Sequence, residues 1–210
     1  MQTLKLLPIE EYVGVDQNDP IRFYSTPIIG KLYRRRVEMC LDQLTVGESV
    51  LEVGFGSGLT FLNLSEKYAA IYGIDLTADP QAVSAVFERR GIKTELSSGN
   101  VVELPYPDNY FDSVLLISIL EHLKPNDLCK AFSEIHRVLK PGGQLVYGVP
   151  CERPFMVVMF RLLGYNIREH HFSTERDVAS SASAVFSAGQ VVTMKAFGLL
   201  EVYQIGVFTK

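Results

Sequence analysis

Two carboxylates and three glycines in the first half of the chain are spaced so that they could bind a polar ligand. Gly54, Gly56 and Gly58 take alternate positions after an apolar run, where side chains would block a tight turn or an approaching ligand. Glu52 lies just before this loop, and Asp75 ends a second apolar run. Carboxylates can accept hydrogen bonds from hydroxyl and amino groups. The pattern predicts a loop that holds a ligand carrying such groups.

The glycine spacing differs from that of two common phosphate-binding loops. The dinucleotide fingerprint, G-x-G-x-x-G, requires a third glycine at the position that Leu59 occupies. The Walker loop requires Gly-Lys-Ser/Thr, which does not follow here. The loop is therefore not suited to a pyrophosphate. The amide groups of the helix expected beyond it favour a carboxylate.

Strands and helices that alternate along the chain must position these residues. Apolar runs predict five strands, at residues 49–53, 69–75, 92–96, 110–118 and 144–149. Helices are predicted at residues 28–44, 59–68, 79–91 and 126–139, with Asp79 and either Asn126 or Asp127 as N-caps. This alternation predicts an α/β fold with a doubly wound, mostly parallel sheet. Ligands bind such sheets at the carboxyl ends of the strands, where Glu52 and Asp75 lie.

Composition excludes several classes of protein. The 210 residues are 47% hydrophobic and 21% charged, which is typical of a globular domain. A net charge of −4 disfavours a general nucleic-acid binder. The three cysteines show neither metal nor disulfide spacing, so no bound metal is expected. No signal peptide or membrane span is recognised, so we expect a cytoplasmic protein.

Five ordered segments resemble the motifs of the class I S-adenosyl-L-methionine-dependent methyltransferases, of the type 11-like group. A single glycine motif would be weak evidence, but five in the expected order are specific. The segments are residues 51–58, 72–75, 98–106, 111–123 and 137–143. The resemblance implies a Rossmann-like sheet of seven strands, whose last strands we expect to be shortened. It also implies S-adenosyl-L-methionine as methyl donor and S-adenosyl-L-homocysteine as product.

The resemblance further implies which residues bind this cofactor. Asp75 would accept hydrogen bonds from the ribose hydroxyls, and Glu52 would either hold the methionine amino group or only cap the loop. Asn100 stands where the family usually has Asp. Its amide could pair with the adenine edge, or it could only close a turn. The other residues implied at the site are Gly54, Phe55, Gly56, Gly58, Leu76, Val101, Ser118 and Ile119.

Catalytic and acceptor residues are harder to recognise. His122 is the candidate general base because it follows the fourth strand, although a structural role at the start of the next helix is equally open. His170 and His171 are further candidates, and as lone histidines they are poor metal ligands. Residues 118–121 lack the Asn/Asp-Pro-Pro-Tyr of methylases acting on nucleobase or glutamine amines, so we expect a small-molecule acceptor. The apolar residues 155–163 suit an aromatic, quinone-like or lipid-like acceptor, or else only pack in the core.

The regions outside the alternating core are less regular. Residues 1–27 are expected to form an irregular arm, in which Tyr24 either packs or closes over the cofactor. The consecutive residues 34–36, all arginine, are expected to fan round a solvated helix face. A helix at 174–188, a strand at 199–205 and a fragment of another strand at 207–209 are predicted near the end. We expect one domain over residues 1–210, with an arm and helix (1–45), a cofactor-binding core (46–149), an insertion or lid (150–175) and a carboxyl-terminal helix and strand (176–210).

Two other functional classes are compatible with the sequence. A non-catalytic partner or regulator that binds S-adenosyl-L-methionine would fit the unusual Asn100. A nucleotide-dependent oxidoreductase would fit the fold, but Leu59 in place of the third glycine opposes it. The main prediction is methyl transfer from S-adenosyl-L-methionine to a small molecule.

Overall fold

A computed structural model of the protein describes residues 2–14, 20–27, 29–151, 171–196 and 198–210. Its strands are β1 (Gly47–Val53), β2 (Tyr68–Asp75), β3 (Thr94–Ser98), β4 (Phe111–Ile117), β5 (Leu139–Pro150), β6 (Ala188–Ala196) and β7 (Leu200–Thr209). Its α-helices are α1 (Ile29–Gln43), α2 (Phe61–Leu64), α3 (Pro80–Glu88), α4 (Pro125–Val138) and α5 (Glu175–Val185). Short 3-10 helices span Ile9–Glu11, Pro20–Ser25 and Leu120–His122.

The seven strands form one sheet in the order β3-β2-β1-β4-β5-β7-β6. The first five strands pair in parallel, and β7 pairs antiparallel with both β5 and β6. The prediction of a doubly wound, mostly parallel α/β sheet of seven strands is therefore confirmed. Strand order reverses between β1 and β4, where crevices in such sheets bind ligands. This reversal puts the ends of β1 and β4 beside each other, with Val53 opposite Leu116.

Helices cover both faces of the sheet. In β4, Leu115 belongs to the apolar layer beneath α1, α2 and α3, whereas Val114 and Leu116 belong to the layer beneath α4 and α5. Successive strand residues point to opposite faces, so a strand covered on both sides must be apolar throughout. Burial on both sides holds the carboxyl ends of the central strands in place, and these ends carry the predicted site.

Some predicted helix boundaries are wrong. The helix expected at 59–68 is reduced to α2, because turns precede it and β2 begins pairing with β1 at Tyr68. Asp79 is the N-cap of α3 as predicted, and its carboxylate accepts from the N–H groups of Gln81 and Ala82. Neither Asn126 nor Asp127 caps α4, which begins at Pro125 instead. Proline suits the first turn of a helix, because an N–H group at that position would have no partner within the helix.

The carboxyl-terminal strands differ most from the prediction. Strand β6 was not predicted, and most of its side chains are exposed, so it lacks a clear alternation of apolar residues. Residues 207–209 continue β7 and are not a separate fragment. The last strands are not shortened, since β6 has 9 residues and β7 has 10. Both strands are long because β7 pairs with β6 along the full length of β6.

Most of the insertion or lid predicted at 150–175 falls outside the described residues, as do all of the apolar residues 155–163 and His170. The division of the chain into arm, core, insertion and carboxyl-terminal part therefore stays a prediction. Within the described part of the chain, no helix combines the length and apolar character needed to cross a membrane.

Candidate functional site

A cavity of about 200 Å³ lies at the carboxyl ends of β1, β2 and β4. Residues from α1 and from the 3-10 helix Pro20–Ser25 close its other side. A wider depression of about 530 Å³ lies against β3, but none of the predicted site residues line it, so the smaller cavity is the better candidate. The predicted residues that line the smaller cavity are Glu52, Gly54, Phe55, Gly56, Asp75, Ser118 and Ile119.

The glycine loop needs glycine for two separate reasons. Gly54 has a φ of +73°, and a Cβ there would lie 2.1 Å from Cδ1 of Ile119. Gly58 has a φ of +74°, and a Cβ there would lie 2.6 Å from the ring of Phe87. The loop therefore has both a left-handed backbone and close neighbours at these positions. Gly58 packs against the core and does not line the cavity.

Asp75 holds two loops together at the end of β2. Its Oδ2 accepts from the N–H of Gly56 at 2.9 Å, and its Oδ1 accepts from the N–H groups of Thr77 and Ala78 at 2.8 and 2.9 Å. The Thr77 hydroxyl also donates to Oδ1, at 3.3 Å. An ionised carboxylate has about four acceptor positions. Oδ2 therefore retains acceptor capacity toward a hydroxyl in the cavity, which fits a ribose.

Glu52 is a buried carboxyl group that faces the same cavity. Its side chain is buried, and the Thr60 hydroxyl donates to Oε2. Burial raises the pKa of Glu52 to about 8; the hydrogen bond from Thr60 opposes this rise and the charge of Asp75 adds to it. Glu52 is thus largely protonated at neutral pH in the absence of a ligand. A cation in the cavity would favour its ionised form.

Arg36 does not lie on a solvated face, which corrects the prediction for this residue. Its Cζ lies 4.1 Å from the ring centroid of Tyr33, and the rings of Tyr24 and Tyr203 are also near. Its Nη atoms donate to the hydroxyls of Ser118 and Tyr24, each at 3.3 Å. Burial alone would lower the pKa of Arg36, but these tyrosines raise it overall. Arg36 lines the cavity and offers a positive charge to an anionic group.

A signal for Arg36 was present in the sequence. It follows Tyr33 by three residues and precedes Cys40 by four, and both belong to the apolar stripe of α1. A cation on the apolar side of a helix points inward. Among the described residues, no ion pair joins Arg36 to a carboxylate. Its Nε is buried and has no hydrogen-bond partner there.

Ser118 connects three parts of the chain at the cavity wall. It has a φ of +57°, which is uncommon for a residue other than glycine. Its N–H donates to the carbonyl of Gly148 at 2.8 Å, and its hydroxyl lies 3.0 Å from that of Tyr203. Ser118 thereby joins β4 to β5, to β7 and, through Arg36, to α1. Unusual backbone conformations of this kind are often found at functional sites.

Other predicted residues do not line the cavity. Leu76 is exposed, with 70% of its surface accessible, and Val101 is buried in the core. The side chain of Asn100 accepts from the N–H of Val102, and its carbonyl accepts from the N–H of Glu103. Asn100 therefore closes a turn, which is the alternative left open above. Its pairing with adenine stays a prediction.

His122 lies in the 3-10 helix that follows β4, and it is exposed. Helix α4 begins only at Pro125, so His122 does not start that helix. The ring centroid of His122 lies 5.0 Å from that of His171, with the rings nearly perpendicular. His122 is not among the residues that line the cavity. Its role as a general base stays a prediction.

Residues 51–147 match the family model described as a methyltransferase domain. A demethylmenaquinone methyltransferase of Tropheryma whipplei (strain Twist) is 34% identical over 138 residues, which cover 61% of this chain and 53% of that protein. The chain spans about half the length of the curated relatives it matches.

Two solved structures show the same fold. The N-methyltransferase NodS from Bradyrhizobium japonicum WM9, in complex with S-adenosyl-L-homocysteine, has a TM-score of 0.67 and 18% identity over 96% of each chain. The [4+2]-cyclase SpnF has a TM-score of 0.65 and 20% identity, over 94% of this chain and 86% of that one. Residues 51–147 thus match a methyltransferase domain, and the described chain shares the fold of these two structures.

Proposed function

We propose that the protein binds S-adenosyl-L-methionine in the cavity and transfers its methyl group to a small-molecule acceptor. The observation that carries this proposal is the convergence of Glu52, Asp75 and Arg36 on one cavity at the reversal of strand order. These three side chains complement the polar groups of this cofactor. Asp75 suits its hydroxyls, Glu52 suits its ammonium group and Arg36 suits its carboxylate. The match of residues 51–147 to a methyltransferase domain gives independent support.

Each end of the cofactor has proposed partners. The ribose hydroxyls would donate to Oδ2 of Asp75, and the exposed Leu76 would cover one face of the adenine. Asn100 and Val101 would border the adenine edge. The methionine half would lie along the glycine loop, including Phe55 and Gly56, with its carboxylate at Arg36.

When bound, the cofactor supplies a methyl group that its sulfonium has already activated. The residues of this chain have to hold the two reactants in line and keep water away from them. Ser118 and Ile119 at the end of β4 would border the reacting centre. A general base is needed only for a poorly acidic acceptor, and His122 is the proposed group in that case.

We propose an aromatic or quinone-like acceptor. Several of the relatives, from Tropheryma whipplei, Thermus thermophilus and Listeria monocytogenes, are demethylmenaquinone methyltransferases. The absence of Asn/Asp-Pro-Pro-Tyr after β4 and the net charge of −4 also argue against a nucleic-acid acceptor. A cytoplasmic location is part of the same proposal.

Titration calorimetry tests the cofactor part of this proposal. Arg36→Gln should weaken S-adenosyl-L-methionine binding about tenfold or more, because a hydrogen-bonded charge pair is lost. Lys31→Gln, an exposed position on the same helix, is the matched control and should bind as the unaltered protein does. Equal affinities of the two variants would contradict the role of Arg36.

Activity is tested by following S-adenosyl-L-homocysteine formation with quinone and other aromatic acceptors. Binding without turnover on any of them would favour the non-catalytic alternative. A higher affinity for NAD than for S-adenosyl-L-methionine would overturn the proposal.

A further inference from the structure

Three metal-ligating side chains meet beside the cofactor cavity. One ligand atom from each of Glu121, His122 and His171 lies within 4.8 Å of the others. Glu121 is 3% exposed, His171 is partly buried and His122 is exposed. The spacing of these residues in the sequence does not reveal the cluster, because His171 lies far along the chain from the other two residues.

The chemistry of this set suits a transition metal. Two imidazoles and one carboxylate are the protein ligands of many catalytic zinc and non-haem iron sites. Bonds of about 2.0–2.2 Å place such ligand atoms roughly 3–4 Å from one another. The present ligand atoms, all within 4.8 Å of one another, lie close to this spacing. Magnesium prefers oxygen ligands, so two imidazoles favour zinc or iron over it.

The backbone holds the ligand-bearing segments together. The carbonyl of Glu121 accepts from the N–H of Phe172 at 2.9 Å and from that of Ser173 at 3.2 Å. The Ser173 hydroxyl donates to the carbonyl of Leu123 at 2.6 Å. These bonds fasten the segment after His171 to the turn that carries Glu121 and His122. Ligands held in advance by such contacts lose less entropy when a metal binds.

We propose that Glu121, His122 and His171 bind one divalent transition-metal ion of the zinc or iron(II) type. Three protein ligands leave at least one coordination position open for water or a substrate oxygen. The N–H of His122 donates to the carbonyl of Ile119, a residue that lines the cofactor cavity, so the site adjoins the proposed methyl donor.

The open position has a consequence that rests on the proposed function. An acceptor hydroxyl bound to the ion would lose its proton to solvent at a lower pH than a free hydroxyl. The resulting oxygen anion would form the new O–CH₃ bond while the S–CH₃ bond breaks, and the electron pair of that bond would stay on sulfur. His122 would then be a metal ligand and not the general base.

Metal binding is tested on the full, untagged chain after treatment with EDTA and dialysis. Titration calorimetry with ZnCl₂ should give one site, and magnesium chloride should not compete. Cobalt(II) should produce visible absorption bands that report the coordination number. Glu121→Gln, His122→Ala and His171→Ala should each lower zinc affinity at least tenfold, whereas His136→Gln, outside the cluster, should not.

Circular dichroism and thermal unfolding establish that each variant is folded. Zinc binding that survives both Glu121→Gln and His171→Ala, or no zinc binding by the folded chain, would overturn the metal site. Titration of S-adenosyl-L-methionine into the same variants separates the two proposals. Metal binding without cofactor binding would leave the metal site standing and remove the proposed function. Methyl transfer at an unchanged rate after EDTA treatment would remove the activating role of the ion.

Discussion

At the scale of single residues, the site is defined by groups whose charge is costly to bury. Glu52 is buried and Arg36 is partly buried, and both line the same cavity. Each side chain would be better hydrated at the protein surface, so its burial costs free energy that a bound ligand can offset. The cavity has a carboxyl group with a raised pKa, and it has a cation that pairs with no carboxylate among the described residues. Together these groups suit a zwitterionic ligand.

The raised pKa of Glu52 predicts a pH dependence of stability. The folded protein keeps a proton on Glu52 up to about pH 8, whereas the unfolded chain releases it near the ordinary pKa of Glu. Between these values the folded state binds more protons, so the free energy of unfolding should fall as pH rises, by up to about 1.4 kcal/mol per pH unit. The fall should end near pH 8.

Denaturant unfolding without cofactor at pH 5, 6.5 and 8 checks this prediction. Glu52→Gln removes the titrating group and should flatten the dependence, which makes it the more stable form at pH 8. Glu48→Gln, at an exposed position of the same strand, is the control. Parallel curves for the unaltered protein and Glu52→Gln would mean that Glu52 is ionised in the folded state.

The position of a side chain can be predicted from the sequence when the residues around it are close to it in the chain. Glu52, Gly54 and Asp75 line the cavity at the place predicted for a site, because their positions follow from one strand end and one loop. Arg36 was not predicted there, because three consecutive arginines indicated a solvated face; its place on the apolar stripe of α1 was overlooked, and its contact with Tyr203 is distant in the sequence. The pairing of His122 with His171 was missed because these two residues are also distant in the sequence.

At the scale of elements, the glycine loop between β1 and α2 sets the shape of the cavity. Its conformation depends on positive φ angles and on the close approach of Gly54 to Ile119. The strands around it were well predicted, since central parallel strands are apolar throughout. Strand β6 was not, because an edge strand with exposed side chains lacks that pattern.

Gly54→Ala should cost more stability than a positive φ alone explains. Gly142 provides the control, since its φ is +78° but no atom lies within 4 Å of where its Cβ would be. Gly142→Ala should lower the free energy of unfolding by about 1–2 kcal/mol. Gly54→Ala adds the overlap with Ile119, so it should cost more and should also weaken S-adenosyl-L-methionine binding. Urea unfolding and calorimetry of both variants decide this, and equal costs would contradict the packing argument.

At the scale of the whole molecule, the site is assembled from both ends of the described chain. Tyr203 on β7 contacts the guanidinium of Arg36 on α1 and the hydroxyl of Ser118 after β4. The antiparallel position of β7 beside β5 makes this contact possible. The family match ends at residue 147, so the carboxyl-terminal strands add to the site a residue that lies outside the matched region.

Tyr203→Phe should weaken cofactor binding a few-fold and leave thermal stability nearly unchanged. The ring keeps its packing, and only the hydroxyl contact that orients Ser118 beside Arg36 is lost. Tyr147→Phe is the matched control, because that buried hydroxyl has no hydrogen-bond partner among the described residues and lies in the opposite apolar layer. Calorimetry and thermal unfolding of both variants test the prediction, and equal affinities of the two would oppose a role for the Tyr203 hydroxyl.

The place of β7 in the sheet also determines when the site can form during synthesis on the ribosome. The nascent chain exposes the glycine loop, Asp75 and Arg36 long before residue 203 leaves the exit tunnel. Until β7 pairs with β5, Arg36 lacks one of its three aromatic neighbours and Ser118 lacks its hydroxyl partner. Pairings between distant parts of a chain form slowly. A released chain that stops before β7 would carry every residue of the matched motifs and still lack the closed site.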